Sequence, residues 1–286
     1  MSVADAPAVR PYLKNMHRFY LPPERCADAT LRLAGREAHH ALHVLRLKHG
    51  ECVMVLDGVG HEFSCEVENC SRESLTMRMT KKNFIPAPPC SITLFQAVPR
   101  GKIIESIIQK AVELGVRRIA PLLTERVVTR LDDRDVLEKQ GKWQQVAIEA
   151  IKQCGAAWLP KIEMPTTIEN VLARRNAVPE AGAPPSTFNP QPSTFDLSLV
   201  GSLQTERRHP RECFREFEAK HGRLPQSIGV WIGPEGDFTA DELKAIQTGG
   251  ALPISLGRLV LRVETAAIYC LSILNYELNS RLESKL

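Results

Sequence analysis

The sequence predicts a small all-β domain followed by an α/β domain built on a mainly parallel sheet. Between Phe19 and Phe84 apolar and polar residues alternate over short stretches, the period of half-buried strands. Beyond a proline-crowded stretch the period switches repeatedly between two and about 3.6, as alternating strands and helices require. With 286 residues, 43% hydrophobic and 24% charged, the chain has the length and composition of two globular domains.

Residues 1–15 are rich in Ala and Pro without periodicity and predict a disordered extension; Met16 opens the more regular M-H-R-F-Y-L-P-P. Within 16–85 the strand candidates are Glu51–Leu56, Phe63–Val67 and Leu75–Met79, with Asp57-Gly58 as a turn signal. Pro86, Pro88 and Pro89 suit an extended connector, because proline fixes φ and lacks a donor, so a domain boundary falls there.

From residue 90 to 286 the elements alternate. Ile92–Ala97 predicts a buried strand. Ile103, Ile104, Ile107, Ile108, Ala111 and Leu114 share one helical face, stopped by Gly115. Ile119–Leu123 is a strand, and Trp143, Val146, Ala147, Ala150 and Ile151 mark a helix. A short segment at Ile162, a helix near Ile168–Leu172 and a strand over Leu197–Leu203 follow. Cys213, Phe214 and Phe217 then mark a helix before the strand Ile228–Ile232. Thr239 and Glu242 form a capping box, with Phe238 and Leu243 as a hydrophobic staple, so the next helix starts there. A strand over Leu252–Leu256 and a helix from about Glu264 to Leu278 close the pattern. Residues 179–196, with the small repeat P-S-T-F-N and P-S-T-F-D, predict a mobile surface loop.

Composition excludes little by itself. The net charge of +4 divides into 12 basic against 10 acidic side chains in residues 1–89 and 25 against 23 beyond. So small an excess neither demands nor forbids nucleic acid. Eight cysteines are scattered without a C-x-x-C pair, which fits reduced thiols in a cytoplasm. No signal peptide and no long apolar run is evident, so no membrane association is expected.

Ligands of parallel sheets bind beyond the carboxyl ends of the strands. Three loops qualify: Leu123-Thr124-Glu125-Arg126, Ile232-Gly233-Pro234-Glu235-Gly236-Asp237, and Leu256-Gly257-Arg258. In the second, two glycines and a proline set a tight path that brings a ligand close to backbone; it is either a site or a βα turn. It matches neither the nucleotide P-loop nor the dinucleotide fingerprint, and there is no G-x-S-x-G. His39 and His43 have helical spacing, but no Cys or carboxylate completes a metal set, so these histidines read as surface or packing residues. Arg262 and Glu264, beside the third loop, are either a solvated pair on a capped helix or part of a site.

At these residues the chain resembles the RsmE family of 16S rRNA uridine N3-methyltransferases, within the SPOUT or α/β-knot superfamily. The resemblance runs from Met16 almost to the end. It rests on M-H-R-F-Y at 16–20, V-L-R-L at 44–47, I-I-Q-K-A-V-E-L-G-V at 107–116 and P-L-L-T-E-R at 121–126. A-I-E-A at 147–150, I-G-P-E-G at 232–236, S-L-G at 255–257 and L-R-V-E-T-A-A at 261–267 complete it.

The resemblance implies a PUA-like RNA-binding β-barrel over 16–85 and a trefoil-knotted methyltransferase domain over 90–286 that uses S-adenosyl-L-methionine without a metal. It implies a homodimer acting on a uridine N3 of 16S rRNA in the small ribosomal subunit. Another rRNA or tRNA base, or RNA binding without catalysis, are the alternatives. Carried over by position, the cofactor contacts are Leu123, Thr124, Ile232, Gly233, Pro234, Glu235, Gly236, Ser255, Leu256, Gly257, Leu261 and Arg262. Arg18 and Arg46 match RNA-binding positions, and Arg262 is the expected catalytic residue. Three departures bear on substrate contacts: Gln153-Cys154-Gly155-Ala156 where Q-S-G-R is frequent, Asp237 for a usual glycine, and G-R-L-V-L at 257–261 for G-P-R-I-L.

Overall fold

Alternation along the first strands dictates a one-sided sheet: in Thr30–Ala34, Leu31 and Leu33 are buried while Thr30, Arg32 and Ala34 face solvent. The computed structural model describes residues 16–126, 133–176, 195–203 and 206–283. They form two compact units that divide between Ala87 and Pro88. The expected extension 1–15 and residues 179–194 of the expected surface loop lie outside the described residues.

The first unit holds β1 (His17–Tyr20), β2 (Thr30–Ala34), a short helix α1 (Gly35–His39), β3 (Cys52–Leu56), β4 (His61–Cys70) and β5 (Ser74–Phe84). The sheet order is β1-β3-β4-β5-β2, with β1 parallel to β3 and the other pairs antiparallel. Two register shifts in the β4–β5 pair, at Ser64/Cys65 and Val67/Asn69, add twist and curl the sheet into a half-barrel. Phe19, Leu31, Leu33, Val55 and Phe63 fill its concave side. The unit is not purely β, since α1 continues into a π-helical turn at His40–Val44 that buries Ala41. There the His39 and His43 rings lie 4.7 Å apart on the surface.

The second unit runs β6 (Ser91–Ala97), α2 (Ile103–Glu113), β7 (Arg118–Leu123), α3 (Asp133–Cys154), β8 (Lys161–Ile162), β9 (Thr166–Thr167) and α4 (Ile168–Asn176). It continues with β10 (Leu197–Gly201), α5 (Pro210–His221), β11 (Ser227–Ile232), α6 (Ala240–Thr248), β12 (Leu252–Ile254) and α7 (Val263–Glu283). The sheet order is β12-β10-β11-β6-β7-β8, with β9 also on β7, and every pairing is parallel. Helices cover both faces, which is why the central strands are almost continuously apolar. On one face Phe95 stacks on Trp231 at 4.1 Å beneath α4 and α6, and the buried Trp231 Nε1 donates to Ser198 Oγ at 3.1 Å. On the other, α2 buries Ile104, Ile107, Ile108 and Ala111 and touches α3 and α7.

Two strands end earlier than their apolar sequence suggests. β10 stops at Gly201 rather than Leu203, and β12 at Ile254 rather than Leu256. Leu203 and Leu256 turn instead toward a cavity above the sheet. The path of the chain around β12 has a further consequence. One edge of β12 pairs with β10; on the other, Arg208 bridges Ile254, donates its amide to Pro253 O at 3.0 Å and accepts from Ser255 N at 2.9 Å. Arg208 therefore lies along the second edge of β12, so that β12 is paired on both of its edges.

All eight cysteines are free. Burial pushes the thiols of Cys65, Cys90 and Cys270 up to about 12, so these side chains behave as small apolar fillers.

Candidate active site

The carboxyl ends of β10, β11 and β12 open onto a cavity of about 490 Å³. Its walls come from three places: Gly201, Ser202, Leu203 and Arg207 after β10, Ile232 to Glu235 and Asp237 after β11, and the stretch from Leu256 to Glu264 between β12 and α7. Ile103, from the first turn of α2, closes one side.

Glycine shapes this cavity. A Cβ on Gly233 would lie 3.1 Å from Asp237 Oδ1 and 3.2 Å from the Phe238 amide nitrogen, tight enough that the turn would have to give by a few tenths of an ångström. A Cβ on Gly201 would press on Ile232 Cδ1 at 3.3 Å and Leu256 Cδ1 at 3.5 Å. Gly257 has φ +114, a backbone that L side chains rarely adopt, and Ser255 Oγ accepts its amide at 3.3 Å.

Side chains tie the loops to one another. Glu235 Oε1 accepts the Arg100 amide at 3.0 Å, and Arg126 donates through Nη1 to Gly236 O. The capping box forms as its spacing predicts: Glu242 Oε2 accepts the Thr239 amide at 2.8 Å and Thr239 Oγ1 the Glu242 amide at 3.3 Å. The same carboxylate reaches the loop after β7, where Glu242 Oε1 accepts the Glu125 amide at 2.8 Å. A helix start thus fixes the relation between two sheet-edge loops, with Phe238 and Leu243 buried beneath it.

Of the residues singled out in the sequence, Ile232, Gly233, Pro234 and Glu235 line the cavity on one side. Leu256, Gly257, Leu261 and Arg262 line it on the other. Ser255 shapes the turn at Gly257, and Gly236 meets Arg126 instead of the cavity. Leu123 and Thr124 do not line it, because β6 stands between β7 and β11 and carries them one strand too far. Thr124 is buried there, and its Oγ1 makes no hydrogen bond among the described residues. Arg18 on β1 and the exposed Arg46 belong to the first unit; Arg46 holds a left-handed backbone, φ 55, which is strained for a non-glycine residue.

Arg262 is exposed on the cavity wall; its carbonyl accepts the Ala266 amide at 2.8 Å, but its guanidinium makes no hydrogen bond or ion pair with a described residue, so a pair with Glu264 does not form. Sequence reasoning missed Gly201, Ser202 and Arg207, which read as the end of a strand and a polar connector. It also missed the exposed lip of Leu259 and Val260. The usable signal was Gly201 at the strand's carboxyl end, the position where the other two loops also begin.

Comparison with known proteins agrees with this geometry. Residues 86–275 match the family model of the RNA methyltransferase domain, and residues 33–79 that of the RNA methyltransferase PUA domain. The ribosomal RNA small subunit methyltransferase E of Synechocystis is 30% identical over 270 residues, covering 94% of this chain and 78% of the relative. The protein of that name from Bacillus subtilis is 26% identical, covering 92% and 97%. Among solved structures, a methyltransferase from Legionella pneumophila, in complex with the bound cofactor SAM, superposes with a TM-score of 0.76 at 29% identity, covering 92% of this chain and 98% of that one. The cavity at the sheet's carboxyl edge, the curled β unit before it and these matches lead to one conclusion: the chain belongs to the RNA methyltransferase family.

Proposed function

We propose that this RNA methyltransferase transfers the methyl group of S-adenosylmethionine to N3 of a uridine in 16S rRNA, in the cavity at the carboxyl edge of its parallel sheet. One observation carries the reading: three loops that each contain a glycine converge on a cavity whose wall carries an uncommitted guanidinium, that of Arg262. The volume, about 490 Å³, fits a nucleoside cofactor. Ile232 to Glu235, Leu256, Gly257 and Leu261 would hold it, with Leu123 and Thr124 on the neighbouring loop beyond β6.

The cofactor's sulfonium supplies an electrophilic methyl group. The protein then has to align N3 with that carbon and manage the charge that appears when the N3 proton leaves. That charge spreads onto the two flanking carbonyl oxygens, where Arg262 is the available cation. Glu235 and Glu264, both on the cavity wall, are the candidate proton acceptors. The 16–85 unit, with Arg18 and Arg46, is assigned to RNA binding, and 90–286 to cofactor binding and chemistry. Among the described residues no helix is long and apolar enough to cross a membrane. The proposed substrate, ribosomal RNA, assigns the enzyme to the cytoplasm.

A homodimer is part of the proposal. Leu271 and Leu274 of α7 are buried within the chain itself and lend it no support; the exposed Tyr269 and Tyr276 on the same helix do. Light scattering at micromolar concentration should return twice the chain mass, and a monomer mass would remove this part. The functional reading is tested by mapping modified nucleotides in small-subunit RNA from a deletion strain. One N3-methyluridine should disappear and return with the wild-type gene. Loss of a different modification, or of none, would overturn it.

A further inference from the structure

The turn after β11 is closed by Asp237, whose amide donates to Pro234 O at 2.9 Å. Its φ is 60, in the left-handed region that glycine enters freely and that other residues enter at a cost. Glycine would serve the turn better, so the carboxylate is not there for the backbone's sake. Asp237 Oδ1 accepts the Phe238 amide at 2.8 Å, a bond that an asparagine oxygen could accept equally well. Its other oxygen makes no hydrogen bond with a described residue, and the half-buried side chain lines the cavity.

The charge on that wall is informative. Its charged residues are three carboxylates, Glu235, Asp237 and Glu264, against two guanidiniums, Arg207 and Arg262. Arg207 is partly committed, donating to Ser202 O at 3.2 Å, and Glu235 Oε1 accepts the Arg100 amide. The excess is one negative charge, and it would vanish with glycine at 237. Substrate and product of methyl transfer differ by one positive charge: the sulfonium becomes a neutral thioether. A unit charge within a few ångströms, partly shielded from water, discriminates between those two states.

We propose that Asp237 is a specificity-determining residue that makes the cavity prefer the sulfonium cofactor to its demethylated thioether, so that spent cofactor is released. The proposal rests on the S-adenosylmethionine reading above. Its test is calorimetric titration of the full chain with S-adenosylmethionine and, separately, S-adenosylhomocysteine, in wild type and Asp237→Asn. Asparagine keeps the acceptor for the Phe238 amide and tolerates the left-handed backbone. The ratio of the two affinities should favour the sulfonium in wild type and fall ~3- to 10-fold in the variant, with thioether affinity nearly unchanged. Raising the salt concentration should shrink the wild-type preference. Asp237→Gly should behave like the asparagine variant, and it carries the test if Asp237→Asn does not fold. An equal ratio in wild type and variant overturns the proposal alone. Failure of wild type to bind either compound overturns the proposal together with the functional reading.

Discussion

The parallel sheet has a hollow at each edge, and the two differ in kind. At the amino edge, Pro88, Pro89, Ile92, Leu114 and Pro225 surround a volume of about 390 Å³. At the carboxyl edge the volume is about 490 Å³. Size does not separate them; the state of their arginines does. At the amino edge Arg223 is fully committed, donating to both oxygens of Asp196 at 2.8 and 3.0 Å and to Leu224 O at 3.0 Å, and its guanidinium lies 5.4 Å from the centre of the Phe217 ring. At the carboxyl edge the Arg262 guanidinium has no partner among the described residues. A charge already neutralised by its own fold holds structure together, whereas one left open on a cavity wall is available to a ligand.

Substituting the two arginines should break the comparison apart. Arg262→Ala is expected to reduce single-turnover methylation of small ribosomal subunits ~10²- to 10³-fold at saturating S-adenosylmethionine, with cofactor affinity and melting temperature close to wild type. Near-normal turnover would remove Arg262 from catalysis, and a collapsed melting temperature would make it structural. Arg223→Ala should do the reverse, lowering the melting temperature while the folded fraction retains its turnover.

A smaller effect sharpens the amino-edge half. The hydrogen bond from Arg223 holds the Asp196 carboxyl below its ordinary value, with the Gln226 and Ser227 hydrogen bonds adding to it. A carboxyl depressed in the folded state contributes stability above its unfolded pKa and loses it as pH falls through the folded one. Asp196→Asn should therefore melt below wild type at neutral pH, and the gap should close under strongly acidic conditions. A gap that stays constant across that range would show that the carboxylate's charge is not what fastens β10 to the start of β11.

The same contrast explains how much was legible in the sequence. The Thr239–Glu242 capping box, the apolar face of α2 and the glycine loop after β11 are local patterns, and each forms where its residues place it. What the sequence concealed depends on distant pairing. Nothing local around Arg208 announces that it will flank Ile254 on the second edge of β12. Leu203 and Leu256 look like strand residues because the apolar wall of a cavity and the interior of a sheet share a composition. The start of α5 was hidden for another reason: His209 acts as its cap, accepting the Arg211 amide through Nδ1 at 3.2 Å, and histidine is an unusual residue for that task. That Leu123 and Thr124 stand one strand from the cavity could not be read either, because strand order, unlike strand existence, is not written in periodicity.

The central claim is that the carboxyl-edge hollow, and not the one at the amino edge, takes the cofactor. Hydrogen–deuterium exchange of the full chain with and without S-adenosylmethionine tests it most directly, since amides at a filled site exchange more slowly. Slowed exchange is expected at 201–203, 232–237 and 255–262, with 88–92 and 222–226 unchanged. Protection confined to the amino-edge segments, or none anywhere at a saturating cofactor concentration, would contradict it.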